Sequence, residues 1–279
     1  MEFIRPQKCR DANDDDLKRL LNDKDVIAEI KYNGHRRLFS SNIGYTSSGK
    51  RCYDADIQRH IPHGCLLDGE MVPLNDSGDI DHTKDHSDVT HMIASDPHGL
   101  AFVVFDILMY NWVSRIGMSY SDRLDMFSSE FPISVRRFRR SRRFGSKDNA
   151  LWAAEQAGME GVIFKNVNDT YIPGSRKNWY RYKFKSTHDV VIIDAEGNSK
   201  TDGFSGLRYG FYDGSGALRL VGGLGVTGPR DEMISHIGRV AEVEAVSQLK
   251  NGKLQHAGFK HWRDDKSPEE CVFDFTLDK

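Results

Sequence analysis

The stretch from residue 28 to 37, AEIKYNGHRR, ends an apolar approach in Lys31 and then turns over Asn33-Gly34 into His35, Arg36 and Arg37. A lysine attacks as a nucleophile only when its amine is neutral, and with a pKa of about 10.4 a free one is neutral about four times in ten thousand at pH 7. Neighbouring positive charge lowers that pKa, and each unit makes the amine about tenfold more available. Lys31 therefore reads either as part of an ordinary hairpin with basic tips or as an amine activated by the cations around it.

Other blocks could complete a site. In YRYKFK, residues 180–185, strand alternation places Arg181, Lys183 and Lys185 on one face and Tyr180, Tyr182 and Phe184 on the other. Cations at two-residue spacing repel, so the ladder makes sense if an anion lies over it, phosphate being the obvious candidate. A lysine-protected edge strand is the other reading. LLDGEMV puts Asp68 and Glu70 on one strand face, and MEGVIFK opens a second strand with Glu160. Two carboxylates from separate strands, facing a lysine ladder, would hold a magnesium ion near a triphosphate. Taken singly, Asp68-Gly69 also reads as a turn and Glu160 as a helix-end acid. Phe105 in VVFDIL is a core aromatic or, beside a nucleotide, a base-stacking platform. His82, His86 and His91 sit in a polar, irregular stretch unsuited to fixed metal geometry, so a solvated loop or polar helix is expected there.

The elements that must position these residues are mostly strands: VIAEI, CLLDGEMV, AFVVFDIL, GVIFK, YRYKFK, VVIIDA, LRYGFYD, ALRLVGG and CVFDFTL, broken by glycine-rich or polar turns. Asn33-Gly34 signals a tight hairpin. Helices are expected over 14–22, from about 119, over 146–158 and over about 229–250. Ser267, Pro268 and Glu270 have the pattern of a capped short turn. The fold class is α+β with antiparallel sheets. A division within KSTHDVVIID, residues 185–194, leaves a C-terminal part of short strands and glycine turns that suits a small five-stranded barrel, a type that commonly binds nucleic acids.

The 279 residues suffice for two domains, and the net charge of -2 conceals local asymmetry. DANDDD is acidic, whereas RRFRRSRR at 136–143 carries six arginines in eight positions. Cys9, Cys52, Cys65 and Cys271 lack metal-site or disulfide-framework spacing, which suits reduced thiols in a cytoplasmic setting. No apolar run has the length of a signal peptide core or a membrane span.

Taken in order, KYNGHR, LLDGEMV, VVFDIL, EGVIFK, YKFK and WRDDK resemble the motifs of the covalent nucleotidyltransferases, specifically the ATP-dependent DNA ligases. The resemblance covers nearly the whole chain and extends to LRLVGGLGVT and HAGFKHWRDDK. It implies a nucleotidyltransferase domain of ATP-grasp-like antiparallel sheets with helices over 1–187 and an OB-fold barrel over 188–279. That compact plan looks like the minimal ligases of viruses and bacteriophages, with no further DNA-binding or zinc domain ahead of it, acting as a monomer inside the cell. The implied activity seals 5′-phosphate/3′-hydroxyl nicks in duplex DNA through a lysyl-AMP and a DNA-adenylate, with ATP and magnesium, or manganese, as cofactors.

By the same resemblance Lys31 takes AMP from ATP, and Arg36 contacts ribose or the nick phosphate. Glu70 and Glu160 serve ribose and metal, Lys183 and Lys185 grip the α-phosphate, and Phe105 stacks on adenine. Arg263, Asp265 and Lys266 orient the departing pyrophosphate. Arg36, Lys183, Lys185 and the metal ion would supply the cations that activate Lys31. Glu29, on the strand face of Lys31, would accept from adenine's exocyclic amine and repel guanine's carbonyl, favouring ATP over GTP. Three departures stand out: Asn33 where the family usually has Asp, Ser47-Ser48 where a Ser-Arg pair is usual, and no room for a long DNA-clamping insertion between the early barrel strands. Lys50 or Arg51 would replace the missing arginine, and Arg139, Arg140, Arg142 and Arg143 would neutralise DNA phosphates. An RNA ligase and an mRNA-capping guanylyltransferase share the scaffold, and a nick-binding protein without catalysis is the reading from outside the enzymes.

Overall fold

The computed structural model describes residues 2–84, 86–130, 136–197, 204–226, 228–249 and 251–275. The chain forms two compact units, Met1–Lys183 and Phe184–Lys279. The division falls after Lys183 rather than after 187, because Ser186–Gly197 is one continuous strand that pairs with Val240–Ala245 from Ser186 onward.

Two sheets build the first unit. A four-stranded sheet runs in the order Arg10–Asp11, Trp179–Lys183, Gly161–Asn166, Val26–Lys31. The other sheet orders Arg51–Cys52, Gly44–Thr46, His35–Phe39, Leu66–Pro73, Leu100–Tyr110 and Val113–Ser114, with Phe138–Arg140 pairing in parallel to Leu100–Tyr110. Leu100–Tyr110 is buried along most of its length, which explains a sequence that is apolar apart from Asp106. One core gathers Phe39, Ile57, Leu67, Phe102 and Phe138, and another Leu38, Leu66, Leu108, Tyr171 and Trp179.

The expected hairpin at Asn33-Gly34 is instead a corner between sheets. Val26–Lys31 and His35–Phe39 belong to different sheets and do not pair. A Cβ on Gly34 would lie 2.1 Å from the Met71 carbonyl oxygen, so close backbone approach demands glycine here. Asp68-Gly69 is not a turn either: both lie inside strand Leu66–Pro73, where Gly69 admits the Val103 carbonyl.

The helices near the N-terminus and at 147–156 begin where their caps require. The Asn13 side chain accepts from Asp16 N at 2.8 Å, and Asp14, Asp15 and Asp16 favour the positive end of helix Asp14–Asn22. Ser146 caps helix Lys147–Gln156, which packs on Val26–Lys31 and Gly161–Asn166. His86 and His91 fall on a helix, His86–Ser95. Helix Tyr120–Glu130 packs on Leu100–Tyr110 through a fully buried ion pair, Arg123 Nε to Asp106 Oδ1 at 2.7 Å and Nη2 to Oδ2 at 2.9 Å. Burial raises the Asp106 carboxyl above its ordinary range, with Arg123 opposing the shift.

The second unit is a five-stranded antiparallel sheet in the order Leu218–Leu224, Phe204–Tyr212, Ser186–Gly197, Val240–Ala245, Gly258–Trp262, with a small ladder of Ser247–Gln248 and Leu254–Gln255. The long helix expected over about 229–250 is absent: Arg230–Ser235 is helical, Gly238 turns at φ +86°, and Val240–Ala245 is a strand. The β-branched Val240 and Val243 enter the core that Val190, Ile192, Leu207 and Tyr209 share, so tertiary burial overrides local helix preference. The short turn Pro268–Glu270 forms as expected, the Glu270 carboxylate accepting from Ser267 N at 2.8 Å.

The buried Arg123–Asp106 pair makes a direct test of the architecture. Arg123→Met should cost about 3–5 kcal/mol by leaving Asp106 unpaired, and adding Asp106→Leu should restore most of it. Urea unfolding of the two variants measures both effects; a full loss in the double variant as well would show that the pair does not dock this helix.

Candidate active site

Register across the four-stranded sheet assembles a cleft of about 250 Å³. Gly161 is the partner of Lys31 on one side and of Lys183 on the other; Ile163 is likewise flanked by Glu29 and Arg181, and Lys165 by Ile27 and Trp179. These rows alternate in phase, so Glu29, Lys31, Ile163, Lys165, Trp179 and Arg181 all line the cleft. Glu160 immediately precedes Gly161 and therefore sits between two lysines. A Cβ on Gly161 would lie 2.0 Å from the Tyr182 carbonyl oxygen, so no other residue fits.

Glu160 accepts from both lysines: Lys31 Nζ on Oε2, and Lys183 Nζ on Oε1 at 2.6 Å. Burial would raise its carboxyl, but Lys31 and Lys183 outweigh that and hold it below the ordinary carboxylate range. The expected bare ladder of cations is accordingly corrected. The strand ends at Lys183, Lys185 falls in the second unit, and every rung has a carboxylate partner: Asp11 for Arg181, Glu160 for Lys183 and Glu244 for Lys185, the last at 2.6 Å. The opposite face is not simply packed, since the Arg10 and Arg19 guanidinium groups lie over the Tyr180 ring.

Arg36 is similarly committed. Its Nε and Nη2 donate to the two oxygens of Asp68 at 2.9 and 2.6 Å, and its Nη1 donates to the Gln7 carbonyl at 2.5 Å. Tyr171 also donates to Asp68, at 2.7 Å, and its hydroxyl accepts from Gln7 N at 2.8 Å. Asp68 thus clamps Arg36 instead of standing beside Glu70 as a metal ligand. Glu70 lines the cleft without a hydrogen-bond partner among the described residues, and burial pushes its carboxyl up to about 7 against the pull of Lys31 and Arg36. The described residues hold no cluster of three or more His, Cys, Asp or Glu suited to a metal ion. Glu70 and Glu160 remain a two-carboxylate pair, a donor set suited to magnesium when phosphate oxygens and water complete its shell.

Glu29 is 3% exposed and held by two residues the motifs do not single out. Lys165 Nζ donates to its Oε2 at 3.0 Å, and the Tyr120 hydroxyl donates to its Oε1. Lys165 lies 4.3 Å from the centre of the Trp179 ring, 4.5 Å from Tyr120 and 4.8 Å from Phe105, so a buried ammonium is enclosed by aromatic faces and a carboxylate. Phe105 lines the cleft, with Trp179 edge-on at 6.2 Å. Strand alternation in GVIFK and in WYRYK could have placed Lys165 and Trp179 on the cleft face; nothing local to Tyr120 announces its long-range bond to Glu29.

The remaining expected residues lie elsewhere. In the second unit Arg263 pairs with Asp265 through two 2.8 Å bonds and with Asp189 at 3.0 Å, and Lys266 pairs with Asp189 at 2.7 Å. The arginine-rich segment is not a uniform charged face. Arg139 and Arg140 lie in strand Phe138–Arg140, and Arg139 donates to the carbonyls of Gly78 and Arg136. Arg142 and Arg143 are exposed, Arg142 over the Phe144 ring and Arg143 4.0 Å from Asp125. Lys50 and Arg51 are exposed at the turn between Gly44–Thr46 and Arg51–Cys52 and do not line the cleft.

Comparison with known proteins agrees with this geometry. Residues 6–183 match the family model described as ATP dependent DNA ligase domain. DNA ligase 4 of Kluyveromyces lactis is 25% identical over 202 residues, covering 64% of this chain and 22% of that protein. A DNA ligase of Halorubrum lacusprofundi is 26% identical over 230 residues, covering 76% of this chain and 37% of that one. The chain thus spans well under half the length of these relatives. The ligase domain of M. tuberculosis LigD has a similar fold, with a TM-score of 0.57 at 21% identity over 98% of this chain and 100% of that domain. No helix among the described residues is long and apolar enough to cross a membrane.

Glu70 supplies a pH signature. Its folded pKa of about 7 lies above the ordinary 4.5, so the folded state holds the proton more tightly. The stability this gives is complete below the unfolded pKa and is lost as pH rises through the folded one. Glu70→Gln lacks that loss, so its stability relative to wild type should grow between about pH 5 and 8 in metal-free urea unfolding. Parallel stability profiles for the two proteins would contradict the assignment.

Proposed function

The chain belongs to the ATP-dependent DNA ligase domain family, and from that premise we propose that it seals nicks in duplex DNA through an AMP adduct on Lys31. The observation that supports this most directly is the row Lys31, Glu160, Lys183, whose Lys31 lines a cleft together with Glu29 and Phe105. In this reading adenine lies against Phe105 with its amine toward Glu29, and the ribose and α-phosphate extend toward Glu70, Lys31 and Lys183.

Once its ammonium proton has passed to solvent, Lys31 Nζ attacks the α-phosphorus in line, the bond to the β-phosphate oxygen breaks, and pyrophosphate leaves. The AMP passes to a 5′-phosphate, and a 3′-hydroxyl then displaces it to form the phosphodiester. Most of the protein's work is alignment and charge neutralisation. Glu160, held below the ordinary range, is a weak base; its role before attack is to hold the Lys31 ammonium at the reacting position. An arriving triphosphate competes with Glu160 for Lys31 and Lys183, so its binding exchanges ion-pair partners. Glu70 and Glu160 would hold magnesium, which when bound neutralises charge on the transferring phosphate.

The second unit reads as an OB-type barrel, a reading supported by its five antiparallel strands. Arg263 and Lys266, with Asp265 orienting the arginine, serve the pyrophosphate, and Lys185 serves the α-phosphate. Asp189 and Glu244 are the carboxylates that these cations must leave.

With magnesium and α-labelled ATP, wild type should carry label on a denaturing gel and Lys31→Ala should not; a chase with nicked duplex should move the label out as the nick seals. Unlabelled, well-folded wild type would overturn the reading. Of the arginine-rich segment, Arg142 and Arg143 are the exposed candidates for DNA phosphates. Replacing both by Ala should flatten the slope of log affinity against log salt by about 2, at about 0.9 per lost contact. An unchanged slope in nick-binding titrations would remove them from the DNA surface.

A further inference from the structure

Tyr120 belongs to none of the motif blocks, yet it is fully buried and its hydroxyl touches the acceptor proposed to read the base. We propose that Tyr120 is a positioning residue that fixes Glu29 as a one-way hydrogen-bond acceptor and thereby sets the preference for a 6-amino purine over a 6-oxo purine. The inference rests on the reading that Glu29 meets the purine edge.

The direction of the bonds carries it. Lysine is donor-only, so Lys165 donates both to Glu29 Oε2 and to the Tyr120 oxygen, the latter at 2.9 Å. The single phenol proton then has two possible acceptors, Glu29 Oε1 and the Phe105 carbonyl at 3.0 Å, and Glu29 is the closer. Each carboxylate oxygen thus holds one donor from behind and keeps lone-pair capacity for the cleft that Glu29 lines. A 6-amino group satisfies that capacity, whereas a 6-oxo group meets an anion.

Removing the phenol changes the options open to Glu29. The carboxylate can then rotate toward Lys165 and turn its free lone pairs away from the purine edge. The frame behind the acceptor is fixed too: Tyr120 opens the helix that Arg123 and Asp106 pin to Leu100–Tyr110, the strand carrying Phe105. The acceptor at the base edge and the ring proposed to cover the base face therefore share one rigid frame.

The test is the kcat/KM ratio for label transfer to the protein from α-labelled ATP and from α-labelled ITP, which differ at the 6-position. Tyr120→Phe should lower the ATP/ITP ratio about tenfold, the scale expected for losing one hydrogen bond to a charged group. Tyr171→Phe removes a different buried phenol, bonded to Asp68, and should keep the wild-type ratio. An unchanged ratio in Tyr120→Phe, or an equal fall in Tyr171→Phe, overturns the proposal. Glu29→Gln separates the layers: if it lowers the ratio and Tyr120→Phe does not, the role of Tyr120 fails alone, and if neither moves the ratio, the reading of Glu29 fails with it.

Discussion

The cleft depends on one constraint, the passage of a side-chain-free residue between two lysines. Neighbouring strands lie about 4.8 Å apart, so Lys31 and Lys183 stand about 10 Å apart across the strand that begins at Gly161. Their ammonium groups converge on the two oxygens of one carboxylate, which converts their mutual repulsion into two attractive contacts. Glu160 can occupy that position because Gly161 lets the Tyr182 carbonyl approach where any side chain would collide. From this row the rest follows by alternation: Glu29 and Arg181 two residues along their strands, then Lys165 and Trp179.

The charges of the site are mutually satisfied. Arg36 with Asp68, Lys165 with Glu29, Lys31 and Lys183 with Glu160, and Arg181 with Asp11 are all ion pairs of the first unit. Buried pairs contribute little net stability because desolvation offsets attraction, and breaking one half is costly. Their value here is definition of position. Because Lys31 and Lys183 share Glu160, these pairs hold one cation more than carboxylates, and a phosphate that binds must exchange partners within them, which favours ligands offering several anionic oxygens at once over a single stray anion.

Much of this was readable from residue order and some was not. Strand period put Lys183 on one face with Arg181, and Glu29 on the face of Lys31, whereas Lys31, Glu160 and Phe105 were singled out by the resemblance of their motif blocks, since an aromatic in an apolar strand is a core residue by default. Asn33-Gly34 misled because a pair favoured in hairpin turns also suits any tight corner, and only pairing partners distinguish the two. Val240–Ala245 misled because alanine and glutamate favour helices while burial of Val240 and Val243 decides for a strand. The ladder at 181–185 was right in phase and wrong in length. Its neutralising acids, Asp11 and Glu244, are far away in sequence, as are Tyr120 from Glu29 and Gln7 from Arg36. Contacts across such separations leave no local trace.

The corner at residues 32–34 has a mechanical consequence. Lys31 ends a strand of one sheet, and four residues later the chain is already in the other sheet, with Gly34 pressed against Met71. Lys31 is mounted at a joint, not on a free loop or in the middle of a plate. Small changes in the spacing of the two sheets must therefore move the amine almost one for one, with no slack in between to absorb them. A core substitution that swells the packing of Leu38 and Leu66 would displace Lys31 before it unfolded the protein.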